Sequence, residues 1–259
     1  MATSSTSLEG RTALVCGASK GLGRAIALAL AARGAGIIAL ARRAEALDAL
    51  LPLLREAGAP TATALVADLD DQASLPGLVA GLKAQILIHN TGGPPSAPLL
   101  EESPDRLTAA FGRHVISAQL LVQALLPAMR EAGYGRIVTI LSTSVREPIE
   151  GLGASNVVRG AMASWSKTLS RELPPGITIN NVLPGYHDTS RLTELKEAIS
   201  ARTGRSPEQI EADWLSTIPE GRLGDPADLA ELVAYLCSPA GGYVRGTSIA
   251  VDGGRTRSL

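Results

Sequence analysis

Short apolar runs alternate along the chain with longer stretches rich in Ala, Leu and charged residues. Thr12–Cys16 (TALVC) is almost wholly apolar, the pattern of a strand buried on both faces. Gly36–Ala41 (GIIALA), Thr61–Ala67, Gln85–His89, Arg136–Ser142 (RIVTILS), Ile177–Leu183 and Thr247–Val251 repeat it. Between these runs the pattern predicts helices over Arg24–Arg33, Arg43–Ala57, a segment capped by Asp70 or Asp71 and reaching Lys83, Pro104–Ala132, Ala154–Leu173 and Pro226–Cys237. Gly58 and the Pro174-Pro175-Gly176 run supply two of the stops. Pro127 lies inside the longest stretch and predicts a kink or break there. Residues 190–216 are charged and helical, with no strand signal. Strict alternation of strand and helix predicts an α/β fold: a doubly wound parallel sheet of about seven strands with helices on both faces. No linker, low-complexity tract or repeat divides residues 1–259, so they read as one domain.

Composition narrows the function classes. With 45% hydrophobic and 19% charged residues there is ample core material, and global disorder is excluded. Lys plus Arg number 24 against 25 Asp plus Glu, which excludes holding nucleic acid by bulk charge. Aromatics at 3% give no stacking platform for single strands. Cys16 and Cys237 both sit in apolar runs and read as small buried hydrophobes. Two thiols cannot staple a chain this long, so a reducing compartment is expected. No secretory signal is visible in Met1–Ser7. Arg, Gly or Pro breaks each apolar run well short of about 18 residues, so no membrane span is expected. The protein is expected to be cytoplasmic.

Ligands of doubly wound sheets bind outside the carboxyl ends of the strands, and the chemistry-bearing residues cluster there. The first strand runs into Gly17-Ala18-Ser19-Lys20-Gly21-Leu22-Gly23, which opens a helix. Glycines at such a turn let the backbone approach a phosphate, and the helix N-terminus offers it unpaired N–H groups. This is the Rossmann pattern of a dinucleotide-binding domain. Arg42 and Arg43 follow the second strand, where an acidic residue would take a ribose 2′-hydroxyl and a basic one a 2′-phosphate. With Lys20 they favour NADP(H) over NAD(H). Cations at a helix start oppose its dipole, which argues for a functional reason. Asp68 and Leu69 follow the third strand, where Asp68 is placed to meet the adenine. Asn90-Thr91-Gly92-Gly93 follows the fourth strand, its backbone facing the cofactor.

These motifs together resemble the short-chain dehydrogenase/reductase family over essentially the whole chain. Its Thr-Gly-x-x-x-Gly-x-Gly is present from Cys16 to Gly23 with Cys for Thr, and its Asn-Asn-Ala-Gly resembles Asn90–Gly93. Its Pro-Gly after strand six is Pro184-Gly185, followed by Thr189, and Asp252-Gly253-Gly254 matches its closing motif. Arg222-Leu223-Gly224-Asp225-Pro226 also fits. The catalytic positions diverge. Ser142 matches the family's Ser, but Ser155 and Arg159 stand at the Tyr and Lys positions, and His114 stands at the Asn position. The Asn90–Pro95 and Ser155–Arg159 stretches are similar to a bacterial branch labelled 3-oxoacyl-carrier-protein reductases. The resemblance implies a small-molecule substrate and a homotetramer packed through the helices after strands four and five.

Reduction of a carbonyl builds negative charge on oxygen, which needs hydrogen-bond donors and then a proton. Ser142 and Ser155 can donate such bonds. Arg159, one turn beyond Ser155 on the same face, cannot release a proton at neutral pH. It can hold the nicotinamide ribose, or grip a carboxylate or phosphate bidentately. The catalytic candidates are therefore Ser142, Ser155, Arg159 and His114. His114, Tyr186, His187 or water could replace the lost acid. Losing a general acid costs on the order of 10²–10⁴ in rate, so turnover of ordinary ketones is expected to be weak. Residues 190–216 would form a substrate lid, whose mixed charge names no substrate, and Leu141, Ile149 and Leu152 would form an apolar wall. His89, His114 and His187 share no ligand spacing, so no metal is expected. Without a Gly-x-Ser-x-Gly elbow a serine hydrolase is excluded. Two functions stand at this point: an NADP(H)-dependent oxidoreductase with an altered catalytic set, or a non-catalytic NADP(H)-binding sensor or scaffold.

Overall fold

The computed structural model describes residues 6–258. In chain order the elements are β1 (Thr12–Cys16), α1 (Gly21–Ala32), β2 (Gly36–Ala41), α2 (Ala44–Asp48), α3 (Leu51–Glu56), β3 (Ala62–Val66), α4 (Leu75–Val79) and β4 (Ile86–Asn90). There follow α5 (Pro104–Phe111), a π turn (Gly112–Ile116), α6 (Ser117–Glu131), β5 (Gly135–Ile140), α7 (Gly153–Glu172) and β6 (Ile177–Pro184). The chain closes with α8 (Ser190–Thr203), α9 (Pro207–Ser216), α10 (Pro226–Cys237) and β7 (Ser248–Val251). The seven strands form one parallel sheet in the order β3-β2-β1-β4-β5-β6-β7. The direction of winding reverses between β1 and β4, and that switch point is where a crevice opens at the carboxyl edge.

Alternation along the strands divides the core. Ala13 and Val15 of β1 face one layer with Ile26 and Leu30 of α1, Leu54 of α3, and Leu229 and Val233 of α10. Leu14 and Cys16 face the other layer with Val79 of α4 and Leu121, Leu125 and Met129 of α6. Both thiols are buried and free, and burial pushes each up to about 12. They are packing groups rather than nucleophiles.

Three helix expectations need correction. Arg43–Ala57 is two helices, because Pro52 lies in the first turn of α3 and, lacking an N–H, cannot donate to a ladder continuing from α2. Neither Asp70 nor Asp71 caps the next helix. Asp71 instead accepts the Ser74 N–H at 3.3 Å, and the helix shrinks to Leu75–Val79, which contains Gly77 and is followed by Gly81, both poor helix formers. Pro127 does not break α6. Both Pro127 and Gln123 are exposed, so water can satisfy the carbonyl freed four residues back. The irregularity falls instead at Gly112–Ile116. The continuous run Pro104–Glu131 is, by length and composition alone, long and apolar enough to cross a bilayer. Its inner face, Leu121, Val122, Leu125 and Met129, packs on the sheet.

Candidate active site

The turn after β1 depends on missing side chains. Gly17 has φ +63°, and a Cβ on it would lie 2.8 Å from Asn90 Nδ2. A Cβ on Gly23 would lie 2.1 Å from the Gly17 carbonyl oxygen. Asn90 Nδ2 donates to the Cys16 carbonyl at 3.3 Å, which ties the end of β4 to this turn. Ser19 is half-buried on the turn, while Leu22 packs into the core. Lys20 occupies the N-cap of α1 without a side-chain cap, and the first turn carries no acid. The leading N–H groups of α1 therefore have no side-chain cap.

Cations surround this edge. Arg42 and Arg43 are exposed at the end of β2, and Arg42 lies 3.9 Å from Asp68 across the β2–β3 edge. Asp68 also accepts the Asp70 N–H at 3.1 Å, and Leu69 is buried. Lys20 Nζ lies 3.0 Å from Glu194 of α8. Thr189 caps α8 by accepting the Leu192 N–H at 3.4 Å. Its methyl lies 3.5 Å from where a Gly21 Cβ would be, so the start of α8 sits over the glycine turn. Gly185 donates to the Val251 carbonyl at 2.9 Å. A Cβ on it would collide with Asp252, so Pro184-Gly185 keeps the end of β6 flush against β7.

The reaction candidates gather beyond β4 and β5. Ser142 Oγ accepts the Ser144 N–H at 3.1 Å and starts a short helical turn after β5. From α7, Arg159 Nε donates to Ser155 Oγ at 3.2 Å. Arg159 Nη1 donates to the carbonyls of Ile140 at 3.2 Å and Leu141 at 2.6 Å, the two residues just before Ser142. One guanidinium thus pins α7 to the end of β5. Ser155 Oγ and Arg159 Nη2 lie 3.8 and 3.4 Å from where a Gly93 Cβ would be, so the segment after β4 closes the third side. Thr91 and Gly92 precede it, and Thr91 Oγ1 shares a 2.7 Å hydrogen bond with His114 Nδ1.

His114 sits in the π turn, 1% exposed, with no partner for Nε2. Burial and the Arg159 charge push its pKa down to about 2. His89, which shares a 3.1 Å hydrogen bond with Ser117 Oγ, is pushed down to about 4 by the same causes. His114 is therefore neutral and has no imidazolium proton to give. Tyr186 stacks on Trp214 with centroids 4.9 Å apart, beneath Arg255. His187 Nδ1 lies 3.4 Å from the Gly185 carbonyl oxygen, and its ring fills the space beside Gly224. Ile149 is held by Asn156 through 3.3 and 2.9 Å bonds. Leu141 belongs to the core cluster with Met162 and Leu183 rather than to a pocket wall, and Leu152 is half-buried at the start of α7. The mixed charge of residues 190–216 conceals one cation that reaches this site, Arg191. Its charge depresses Arg159, and its Nη2 lies 3.4 Å from the Pro94 carbonyl oxygen. The signal was available: a cation in the first turn of a helix opposes the dipole.

The family model described as enoyl-(acyl carrier protein) reductase matches residues 17–256. The chain is similar to an uncharacterized oxidoreductase of Mycobacterium tuberculosis, with 35% identity over 96% of this chain and 93% of that protein. It is 31% identical to the 3-oxoacyl-[acyl-carrier-protein] reductase of Escherichia coli, over 95% of this chain and 97% of that one. Among solved structures, L-sorbose reductase from Gluconobacter frateurii, complexed with NADPH and L-sorbose, has TM-score 0.92 and 26% identity. That match covers 98% of this chain and all (100%) of that one. A doubly wound sheet with this glycine turn at its switch point defines a dinucleotide-dependent oxidoreductase. The chain belongs to the short-chain dehydrogenase/reductase family.

Proposed function

We propose that the protein is an NADP(H)-dependent oxidoreductase that interconverts a carbonyl and an alcohol with a serine–arginine catalytic set. The observation that carries this reading is the uncapped start of α1 behind Gly17–Gly23, flanked by Lys20, Arg42 and Arg43. The residues fit the cofactor: the space a Cβ would fill at Gly17 and Gly23 is already taken by backbone and Asn90, so the turn stays flat against a pyrophosphate. Gly17, Ser19, Lys20, Gly21, Leu22 and Gly23 would hold the phosphates. Arg42 and Arg43 would hold a 2′-phosphate, and Asp68 and Leu69 the adenine. Asn90, Thr91, Gly92, Pro184, Gly185, Thr189 and Arg159 would flank the nicotinamide half. When bound, the cofactor supplies or accepts a hydride at the substrate carbon.

The chain's own residues handle the oxygen. Ser142 and Ser155 each use their oxygen to accept an N–H, from Ser144 and Arg159 respectively, so both hydroxyl protons are free to donate. Two donors converging on a carbonyl oxygen stabilise the charge that develops there. Arg159, lowered by burial to about 10, remains a cation at neutral pH and increases the acidity of the Ser155 hydroxyl it touches. Ser155 hands its proton to the alkoxide and regains one from water. His114 holds Thr91 in place and acts as a neutral relay. A serine hydroxyl is a weaker acid than a tyrosine, so ordinary ketones turn over slowly.

The NADP(H) preference is supported by the NADPH-bound sorbose reductase and by Arg42. Relatives named as reductases and oxidoreductases lend nothing to a binder without turnover. Residues 190–216 are proposed as the substrate lid of a domain spanning 1–259, in a cytoplasmic homotetramer. The test is an NADPH fluorescence titration with NADH as control, followed by NADPH oxidation across a carbonyl panel. Saturable binding with NADPH preferred, and oxidation lost in Ser142→Ala, are expected. Binding with no oxidation of any carbonyl would return the scaffold reading.

A further inference from the structure

We propose that the substrate is an oxo acid, its carboxylate seated on Arg159 and Arg191 while Ser142 and Ser155 hold the reacting carbonyl oxygen. This rests on the oxidoreductase reading above and names its substrate class.

Arg159 is nine-tenths buried, yet no acidic side chain pairs with it among the described residues. A buried charge without a counter-charge is costly, and the usual remedy is a partner or a ligand. Two carbonyls and Ser155 occupy Nη1 and Nε. Nη2 donates to no described residue and faces the bare side of Gly93. Arg191 adds a second cation close enough to depress Arg159. Its one acid, Glu194 at 3.5 Å, is shared with Lys20 at 3.0 Å. One carboxylate thus serves two cations, Lys20 and Arg191, and none serves Arg159 among the described residues. The lid's remaining paired acids are engaged away from it, Glu211 by Lys196 and Asp213 by Arg205. Within the near-balanced charge of residues 190–216, Arg191 is the cation that reaches the Gly93-Pro94 segment beside Arg159.

The cofactor's phosphates do not answer this charge. They belong to the end of β1, and Arg159 is pinned to the end of β5, two strands across the sheet. That is roughly 10 Å at the usual interstrand spacing. The anion must come with the substrate. Ser155 Oγ is bonded to Nε and the open Nη2 belongs to the same guanidinium, so a short oxo acid can reach both. This selects 2-oxo and 3-oxo acids over neutral ketones and sugars. In the reductive direction the carbonyl carbon gains a hydride from NADPH and its oxygen a proton by way of Ser155. The product is a hydroxy acid with NADP⁺, and the carboxylate is unchanged.

The experiment measures binding to the protein saturated with NADP⁺, a complex that cannot reduce the probes. The probes are 4-methyl-2-oxopentanoate and 3-oxohexanoate, each against its methyl ester, followed by calorimetry. At least one acid is expected to bind about tenfold or more tightly than its ester, as a charge-assisted pair requires. Arg191→Gln is expected to erase that ratio while leaving ester affinity within about twofold, and Arg159→Gln is expected to erase it as well. Arg191 is on the accessible α8, so it tests the idea even if Arg159→Gln fails to fold. Equal affinity for acid and ester, or an unchanged ratio in Arg191→Gln, overturns the proposal. Loss of NADPH affinity in Arg159→Gln without an acid–ester difference assigns Arg159 to the cofactor ribose and also overturns it. Failure to bind NADPH at all removes the oxidoreductase reading itself, a separate outcome.

Discussion

At the scale of single residues, the proposed reaction rests on two serine hydroxyls, each already accepting one N–H. Ser142→Ala removes one of the two oxyanion donors and is expected to lower kcat by about 10²–10³. NADPH affinity should stay unchanged, because Ser142 lies beyond the phosphate turn; steady-state kinetics beside a fluorescence titration checks both. The buried histidines make a second prediction. Their folded pKa values, about 4 for His89 and about 2 for His114, lie below the ordinary value of 6.5. Between pH 7 and 5 the unfolded chain therefore binds protons that the native one does not, and stability falls as pH falls. The loss is about 2 kcal/mol per histidine over that interval, readable as a drop in urea midpoint. His114→Asn should flatten the slope without abolishing it, since burial lowers His89 and His187 as well. An unchanged midpoint from pH 7 to 5 would contradict the burial assigned to both rings.

At the scale of elements, strands were legible because full burial leaves an unbroken apolar run. The expected β2, Gly36–Ala41, and α10, Pro226–Cys237, coincide with the observed ones. The glycine turn was legible for a similar reason: few other functions demand three glycines between a buried strand and a helix. Helix interruptions were harder, since a proline acts through what surrounds it. Pro52 starts a new helix, while Pro127 is tolerated on a solvated face. The π turn left no sequence signal, although it is what brings His114 to Thr91. Arg159 was legible by register, but its missing counter-charge was not, because that is a fact about neighbours brought together only by folding. The turn itself yields a prediction. Gly23→Ala would force a methyl to 2.1 Å from the Gly17 oxygen, which cannot be relieved without opening the loop. NADPH affinity should fall by at least about tenfold, with β-sheet circular dichroism preserved. Arg42→Ala, at a side chain 72% exposed, should leave stability unchanged and narrow the NADPH-over-NADH preference by about tenfold or more, if its partner is the 2′-phosphate.

At the scale of the whole molecule, the layered core leaves apolar side chains on one outer surface. Phe111 and Ile116, at the end of α5 and in the π turn, are each 41% exposed, and Val157 on the neighbouring α7 is 46% exposed. These helices also carry His114, Ser155 and Arg159, so whatever covers this face braces the reaction residues from behind. An apolar face of this kind suits a second copy of the chain, and the tetramer implied by family resemblance would use it. Light scattering on the purified protein is expected to give four chain masses. Introducing charge in the doubly substituted Phe111→Glu, Val157→Glu protein should shift it to smaller species, since an unpaired carboxylate in an apolar contact is strongly unfavourable. Because assembly adds to apparent stability by mass action, the wild-type Tm should rise with protein concentration and the variant's should not. The variant should also lose more kcat than NADPH affinity, as α7 loses its support while α1 and β2 on the far side of the switch point do not. A wild-type protein running as a single chain at micromolar concentration would remove this support from α7 and leave the apolar surface to some other contact.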